Sequence, residues 1–363
     1  MNNLPKFKIG DLEMSLIQGG MGIGVSSRKL ASAVANCGGA GIISAVELGQ
    51  LGEFPGLKSV DANRQALSDE IKATRELSKD GVIGVNIMYA LTDYHGLVET
   101  AAKEDVDMII SGAGLAKDLP EIVGNSPIKL IPIVSDVRAA KVLTKLWSRC
   151  GKVPDAFIVE GPEAGGHLGF KYEDLKNGTA HTLENIASEV IDFANDKNNF
   201  DSKIPVIVAG GIYTGQDIKH FQNLGAAGVQ MGTRFVTTYE CDASNDFKKT
   251  YINANKEDIV LIKSPVGLPG RAIKNSFLEK VGRGEQIDFK CKYNCLKTCV
   301  PKDSPYCIAN ALLGAQQGNF NEGFAFAGTN AYRATEETCL DENGEFITVK
   351  TLMDRLGKEY HSR

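Results

Sequence analysis

The apolar positions of this chain fall into short contiguous runs separated by longer amphipathic stretches. "MSLIQ" near 14–18, "AGIIS" at 40–44, "VIGVNIM" at 82–88, "VDMIIS" at 106–111, "KLIPIVS" at 129–135, "AFIVE" at 156–160, "IPVIVAG" at 204–210 and "AGVQMG" at 227–232 read as eight short strands. Runs that are apolar at successive positions, rather than at alternate ones, are typical of parallel strands covered on both faces. Between most of them lies helix-like sequence, as at 27–38, 64–81, 137–151 and 214–225. Several of these helices stop at a glycine, the residue that most easily takes the left-handed conformation ending a helix.

Eight such alternations predict a (β/α)8 TIM barrel. An open doubly wound sheet competes, and periodicity alone does not separate the two. The residues just past the strands favour the barrel: "QGGM", Ser44, Asn86, "SGAG", Ser135, "EAGGH", "AGG" and "GT" follow the strands in turn. In a barrel they converge on the C-terminal face, where active sites of this architecture are built. The expected organisation is a barrel over 1–240, completed by 320–363, with 241–319 forming a smaller, mainly helical lobe.

Composition narrows the function classes. The 363 residues are 43% hydrophobic, enough for one large domain and an additional lobe. Forty basic and 45 acidic residues are mixed along the chain for a net charge of −5. No block of like charge points to nucleic acid or to an anionic membrane, so a small-molecule substrate is expected. The start "MNNLPKFKIGDLEM" lacks the features of a secretion signal, and no apolar run approaches the ~20 residues of a membrane span. A cytoplasmic setting, with reduced thiols, is expected.

The candidate chemistry sits at the strand ends. Gly210 and Gly211 in "VAGGIYTGQDI" and "VQMGTRF" at 229–235 follow the last two strands, where barrels frequently hold a phosphate on backbone N–H groups. A flavin mononucleotide fits there, with the backbone of Gly19, Gly20 and Met21 and the amide of Asn86 available to its pyrimidine edge. His167 in "EGPEAGGHLGF" leaves a strand end among glycines, where an imidazole titrating near neutrality can accept or donate a proton. His95, His181, His220 and His361 lack such a setting and read as surface or structural. For Arg234 and Arg271, pairing with a cofactor phosphate and an ordinary salt bridge both stay open.

These stretches resemble the nitronate monooxygenase family, which includes the enoyl-acyl-carrier-protein reductase II enzymes. The matching segments are "IQGGMGIGVSSRKLASAVANCGGAGIIS", "IGVNIM", "EGPEAGGHLG", "IPVIVAGGI", "LGAAGVQMGTRFVTTYE", "RAIKN" at 271–275 and "FAFAGTNAY" at 324–332, in the family's order. The resemblance implies an FMN barrel with His167 facing the flavin and acting on substrate. Carried onto the matching positions, it implies cofactor contacts from Gln18, Gly19, Gly20, Met21, Asn86, Ser111, Glu160, Ala164, Gly165, Gly166, Gly210, Gly211, Met231, Gly232, Thr233 and Gly328.

It also implies one of two reactions: oxidation of a nitronate or nitroalkane to a carbonyl compound and nitrite, or NAD(P)H-driven reduction of an enoyl thioester. "EAGGHLG" and "RAIKN" look more like the reductase branch, while the family at large carries the oxygenase label. A non-catalytic flavin-binding or redox-sensing protein is the third class. The reductase branch adds an acyl carrier protein as partner, and a homodimer is plausible for the family. Such a carrier is acidic and needs a basic patch, to which Lys290, Lys292, Lys297 and Lys302 would contribute.

Those lysines lie in a departure from the family's common core. "FKCKYNCLKTCVPKDSPYCIANAL", 289–312, places Cys291, Cys295, Cys299 and Cys307 with gaps of three, three and seven residues. The readings are an iron–sulfur cluster, a zinc site whose spacing differs from zinc ribbons, or unliganded thiols. On a helix, the first three would share one face suited to apolar packing. Cys37, Cys150, Cys241 and Cys339 read as core thiols.

Overall fold

In a computed structural model describing residues 3–104 and 106–362, the eight predicted strands close into a parallel barrel. The strands are β1 (Ile17–Gln18), β2 (Ala40–Ser44), β3 (Val82–Met88), β4 (Met108–Gly112), β5 (Lys129–Val134), β6 (Phe157–Glu160), β7 (Val206–Ala209) and β8 (Gly228–Met231). Each pairs with its sequence neighbours, and β8 pairs with β1 to close the cylinder. The open doubly wound sheet is thereby excluded.

Side chains alternate in and out along each strand, because successive Cβ atoms point to opposite faces. Ala40 and Ile42 of β2, Met108 and Ile110 of β4, Ile158 of β6 and Ile207 of β7 fill the barrel, while Ile43, Ile109 and Val208 pack outward under helices. Met14, expected to begin the first strand, instead belongs to an N-terminal hairpin, Phe7–Ile9 against Leu12–Met14. Its Phe7, Ile9 and Met14 join the interior cluster. The other end of the barrel is thus left open for chemistry.

The outer helices follow the predicted ones closely: Arg28–Asn36, Ser59–Leu77, Val137–Trp147 and Gly215–Asn223. Gly215–Asn223 starts at a capping box, with Thr214 and Asp217 satisfying each other's backbone N–H groups. The C-terminal helix Val349–His361 packs on it. No helix among the described residues is long and apolar enough to cross a membrane.

Between β8 and that last helix lies the lobe, whose helices include Asn245–Ile252, Ser276–Gly282 and Ile308–Gln316. It also carries a hairpin that the sequence did not announce, Ile259–Lys263 against Pro269–Ile273. The short strand Gly166–His167, in the loop after β6, adds to that hairpin as a third strand, pairing Gly270 with His167 and Arg271 with Gly166. Barrel and lobe therefore meet at the predicted catalytic histidine.

Two expectations about cysteines are corrected. Cys291, Cys295 and Cys299 do not lie on a helix; their segment is irregular. Lys297 N–H donates to Ala90 O at 2.9 Å and Thr92 N–H to Cys295 O at 3.0 Å, so the chain is drawn out against the loop after β3 and Leu296 is buried there. Cys150 is exposed rather than a core thiol, because it ends a one-turn 3-10 segment, Ser148–Cys150, at the tip of an outer helix. Cys241 and Cys339 are buried, and Cys37 is half-buried.

Candidate active site

A cavity of about 290 Å³ opens over the C-terminal ends of the strands. The predicted residues reach it from five places: Gly19, Gly20 and Met21 after β1, Asn86 on β3, Glu160 with Ala164, Gly165 and Gly166 at and after β6, Gly210 and Gly211 after β7, and Met231, Gly232 and Thr233 at the end of β8. Gly328 comes from the segment returning through the lobe, and His167 completes the wall.

Gln18 and Ser111 do not line it. Alternation explains Ser111: Met108, Ile110 and Gly112 face inward, so Ser111 faces out, where it bonds Ile87 O at 2.9 Å and the Tyr94 hydroxyl at 3.0 Å. Gln18 is spent inside the sheet, its Oε1 accepting from Ile42 N–H at 3.1 Å. In place of Ser111 the wall has Gly112, and β8 contributes Gln230 beside the predicted Met231. The same parity, applied to the sequence, would have found both.

The arginines are structural. Arg234 pairs with Glu359 at 2.9 Å and donates to Tyr213 O at 2.6 Å, so the salt-bridge reading holds for it. Arg271 donates to Pro162 O and Ala164 O, both at 2.6 Å, which ties the loop after β6 to the lobe hairpin. The Arg234 guanidinium is fully engaged, and Arg271 spends its Nη1 on the loop carbonyls; neither residue lines the cavity. His95 contacts Asp118, His220 faces Glu184 and His361 meets Asn3 O, all at the exposed surface, where His181 also lies.

The cavity's polar groups are short of partners. Among the described residues, Gln230 Oε1 is buried without a hydrogen bond and the Glu160 carboxyl finds no hydrogen-bond partner. Burial pushes Glu160 up to about 7. Among the described residues, the N–H groups of Gly211, Gly232 and Thr233 donate to no protein acceptor. Native structures rarely leave such groups unmade, and a ligand that brings both donors and a phosphate would satisfy them. Gly20 keeps the floor open: a Cβ there would lie 2.4 Å from Asn86 Cβ. The chemistry of these residues fits a flavin mononucleotide.

His167 Nε2 lies 2.8 Å from Ser264 Oγ, a residue of the hairpin turn that sequence reasoning missed. Ser264 is buried, and His167 is the partner to which its hydroxyl proton can go; Val266 N–H already donates to the same oxygen at 3.4 Å. The hydroxyl therefore donates to Nε2, and the neutral ring carries its proton on Nδ1. The Phe326 ring packs edge-on at 5.0 Å, and burial pushes the imidazole down to about 4. His167 is held uncharged, with one N–H to offer.

Residues 4–343 match the sequence profile described as nitronate monooxygenase. The chain belongs to the nitronate monooxygenase family. This family is flavin-dependent, in keeping with the cradle above, and the protein is an oxidoreductase. A probable nitronate monooxygenase of Staphylococcus aureus strain Newman is 29% identical over 311 residues, covering 76% of this chain and 79% of that protein. FabK from Thermotoga maritima superposes with a TM-score of 0.71 at 26% identity, covering 97% of this chain and 94% of its own. A nitroalkane oxidase from Streptomyces ansochromogenes has the same fold, with a TM-score of 0.71 at 21% identity over 96% and 95% of the two chains.

Proposed function

We propose that this nitronate monooxygenase family member takes alkyl nitronates as anions and, with dioxygen as the oxidant and source of the carbonyl oxygen, converts them to a carbonyl compound and nitrite, with His167 as a hydrogen-bond donor to the nitro group. The reading is carried by one observation, the neutral imidazole pinned through Nε2 by Ser264. FMN, when bound, supplies the redox chemistry of the site. Gly211, Gly232 and Thr233 would hold its phosphate through backbone N–H groups, and Asn86 and Gln230 would meet its polar ring edge.

An imidazole whose conjugate acid ionises at about 4 is a weak base toward a neutral nitroalkane. As a fixed donor it loses nothing, since Ser264 holds the ring in place before substrate arrives. Leu91, Leu296, Ile308 and Leu312 on the lobe side of the cavity offer an apolar wall for the alkyl group.

The test compares a preformed nitronate with its neutral nitroalkane at pH 7. The nitronate is consumed, and in a Glu160→Gln background, which removes the cavity carboxyl that burial pushes up to about 7, kcat/KM stays flat between pH 6 and 9. Equal turnover of the freshly dissolved nitroalkane, or a rising limb centred near the ordinary imidazole value, overturns the donor role.

A second reading, reduction of an enoyl thioester with NAD(P)H, is favoured by a specific feature: among the described residues no lysine or arginine lines the cavity, which suits an uncharged acyl chain. On that reading an acyl carrier protein would approach over exposed Lys290, Lys292 and Lys302. Lys297 is already engaged, donating to Tyr89 O at 2.9 Å. Rapid anaerobic bleaching of the flavin bands by NADH or NADPH, with none by a nitronate, would move the assignment to it.

A further inference from the structure

We propose that Cys291, Cys295, Cys299 and Cys307 are the ligands of a soft-metal centre, held by four thiolates at the rim of the active-site cavity. The inference does not depend on which substrate the flavin site takes. All four thiols are free, and all four line one small cavity of about 30 Å³. Three come from the irregular loop; the fourth, Cys307, caps the N-terminus of the nine-residue helix Ile308–Gln316. Sequence spacing alone did not require this gathering, because it suited unliganded thiols on one helix face as well as a metal site.

The electrostatics suit a cation at that point. The four thiols line one cavity together with the Glu47 carboxyl, and four thiolates gathered there without a metal would repel. A thiophilic cation reverses the sign: four S–M bonds form as four thiol protons leave to solvent. The remaining negative charge meets Lys290 and Lys292, which line the same cavity, and the positive end of the helix behind Cys307.

As the loop stands, no three of these side chains, among the described residues, are close enough to hold one ion. Cys291 Sγ instead donates to Tyr293 O at 3.1 Å, and Cys299 Sγ touches Ser304 Oγ at 3.6 Å. These are weak contacts that metal ligation would replace. A change of χ1 rotamer moves a cysteine sulfur by about 3 Å, without moving the backbone. The backbone is anchored where ligation needs it: Thr92 N–H holds Cys295 O, and the Tyr293 hydroxyl bonds Glu47, beside Asn63. A long loop with little regular structure is the kind of segment a metal orders.

The place is functional as well as structural. Glu47, Cys295, Ile308 and Ala309 line both this cavity and the large one. An iron–sulfur cluster here would stand beside the flavin site and exchange single electrons with it; a zinc ion would staple the lobe wall instead. The shared chemistry is tetrathiolate ligation, and metal analysis distinguishes the two.

The full chain, purified without oxygen from cells supplied with iron and zinc, is assayed for metals and acid-labile sulfide. The expected result is about one zinc, or iron with matching sulfide, per chain. Cys291→Ser with Cys299→Ser should lose at least half of it, whereas Cys150→Ser keeps it. Wild-type protein with less than about a tenth of an equivalent of any transition metal, or a double variant that retains its metal, overturns the proposal. Should the double variant fail to fold, thiol titration of the native protein decides. Chelator treatment should expose about four additional reactive thiols, and an unchanged thiol count overturns the site.

Discussion

Ser264 and His167 come from two segments far apart in sequence, the lobe hairpin and the loop after β6, and meet at 2.8 Å through Oγ and Nε2. The contact is reinforced by the strand pairing of Gly270 with His167 and by Leu168 N–H donating to Pro269 O at 2.9 Å. Backbone pairing sets where the histidine stands, and the serine hydroxyl sets which nitrogen carries its proton.

Ser264→Ala should therefore free the ring to exchange tautomers while leaving the sheet intact. Loss of one hydrogen bond of about 1–2 kcal/mol corresponds to a roughly tenfold or greater fall in kcat/KM. Flavin content and melting temperature should stay near wild type, and Ser264→Thr should restore most of the rate. Equal rates for Ser264→Ala and wild type would show that the contact does not orient the ring.

The same burial has a consequence for acid stability. His167 is depressed in the folded protein, so it is uncharged there and takes up a proton on unfolding once the pH is below its ordinary value of 6.5. Between about pH 6.5 and 4 the unfolded chain binds more protons, and stability falls as the pH falls; above that window the group contributes no pH dependence. The shift sets an upper bound of about 3 kcal/mol. His167→Asn should lose a smaller part of its melting temperature than wild type between pH 7.5 and 5, measured by differential scanning fluorimetry. Parallel losses would contradict a buried neutral imidazole.

Gly20 is a tight point of the cofactor floor. Gly20→Ala places a methyl 2.4 Å from Asn86 Cβ, and the Asn86 side chain or the loop after β1 must shift. Titration of flavin-depleted protein with FMN, followed by flavin fluorescence, should show binding weakened by about tenfold or more, as a displacement of this kind costs about 1–3 kcal/mol. Undiminished affinity would mean that the flavin does not rest on this floor.

Arg271 is worth separating from cofactor binding. Its two hydrogen bonds to Pro162 O and Ala164 O hold the loop that leads to His167. Arg271→Ala should cost about 2–4 kcal/mol of stability, seen as a lowered urea midpoint, because buried charged hydrogen bonds are lost and carbonyls are left unpaired. FMN affinity should change far less than stability. A selective loss of FMN affinity would return the residue to the phosphate.

The parallel strands were legible because they are apolar on both faces, and the barrel was told from an open doubly wound sheet by the glycines and polar residues that follow each strand. The site's glycines were legible because they follow those strands. Ser111 and Gln230 were misjudged for one reason: within a uniformly apolar run, composition does not say which residues point inward, and only counting from the mouth does. Ser264 left no signal, since its role depends on a hairpin turn 97 residues from His167 in sequence. The cysteine loop misled because gaps of three suit a helix, while the pairing of Lys297 and Thr92 with partners across the loop draws the chain out instead.

The most direct test of the donor role is the rate of nitronate consumption by His167→Ala, compared with wild type at matched flavin content. Loss of a preorganised donor predicts a fall in kcat/KM of about a hundredfold or more, with the flavin spectrum retained. A variant that consumes the nitronate at the wild-type rate would contradict the account at its centre.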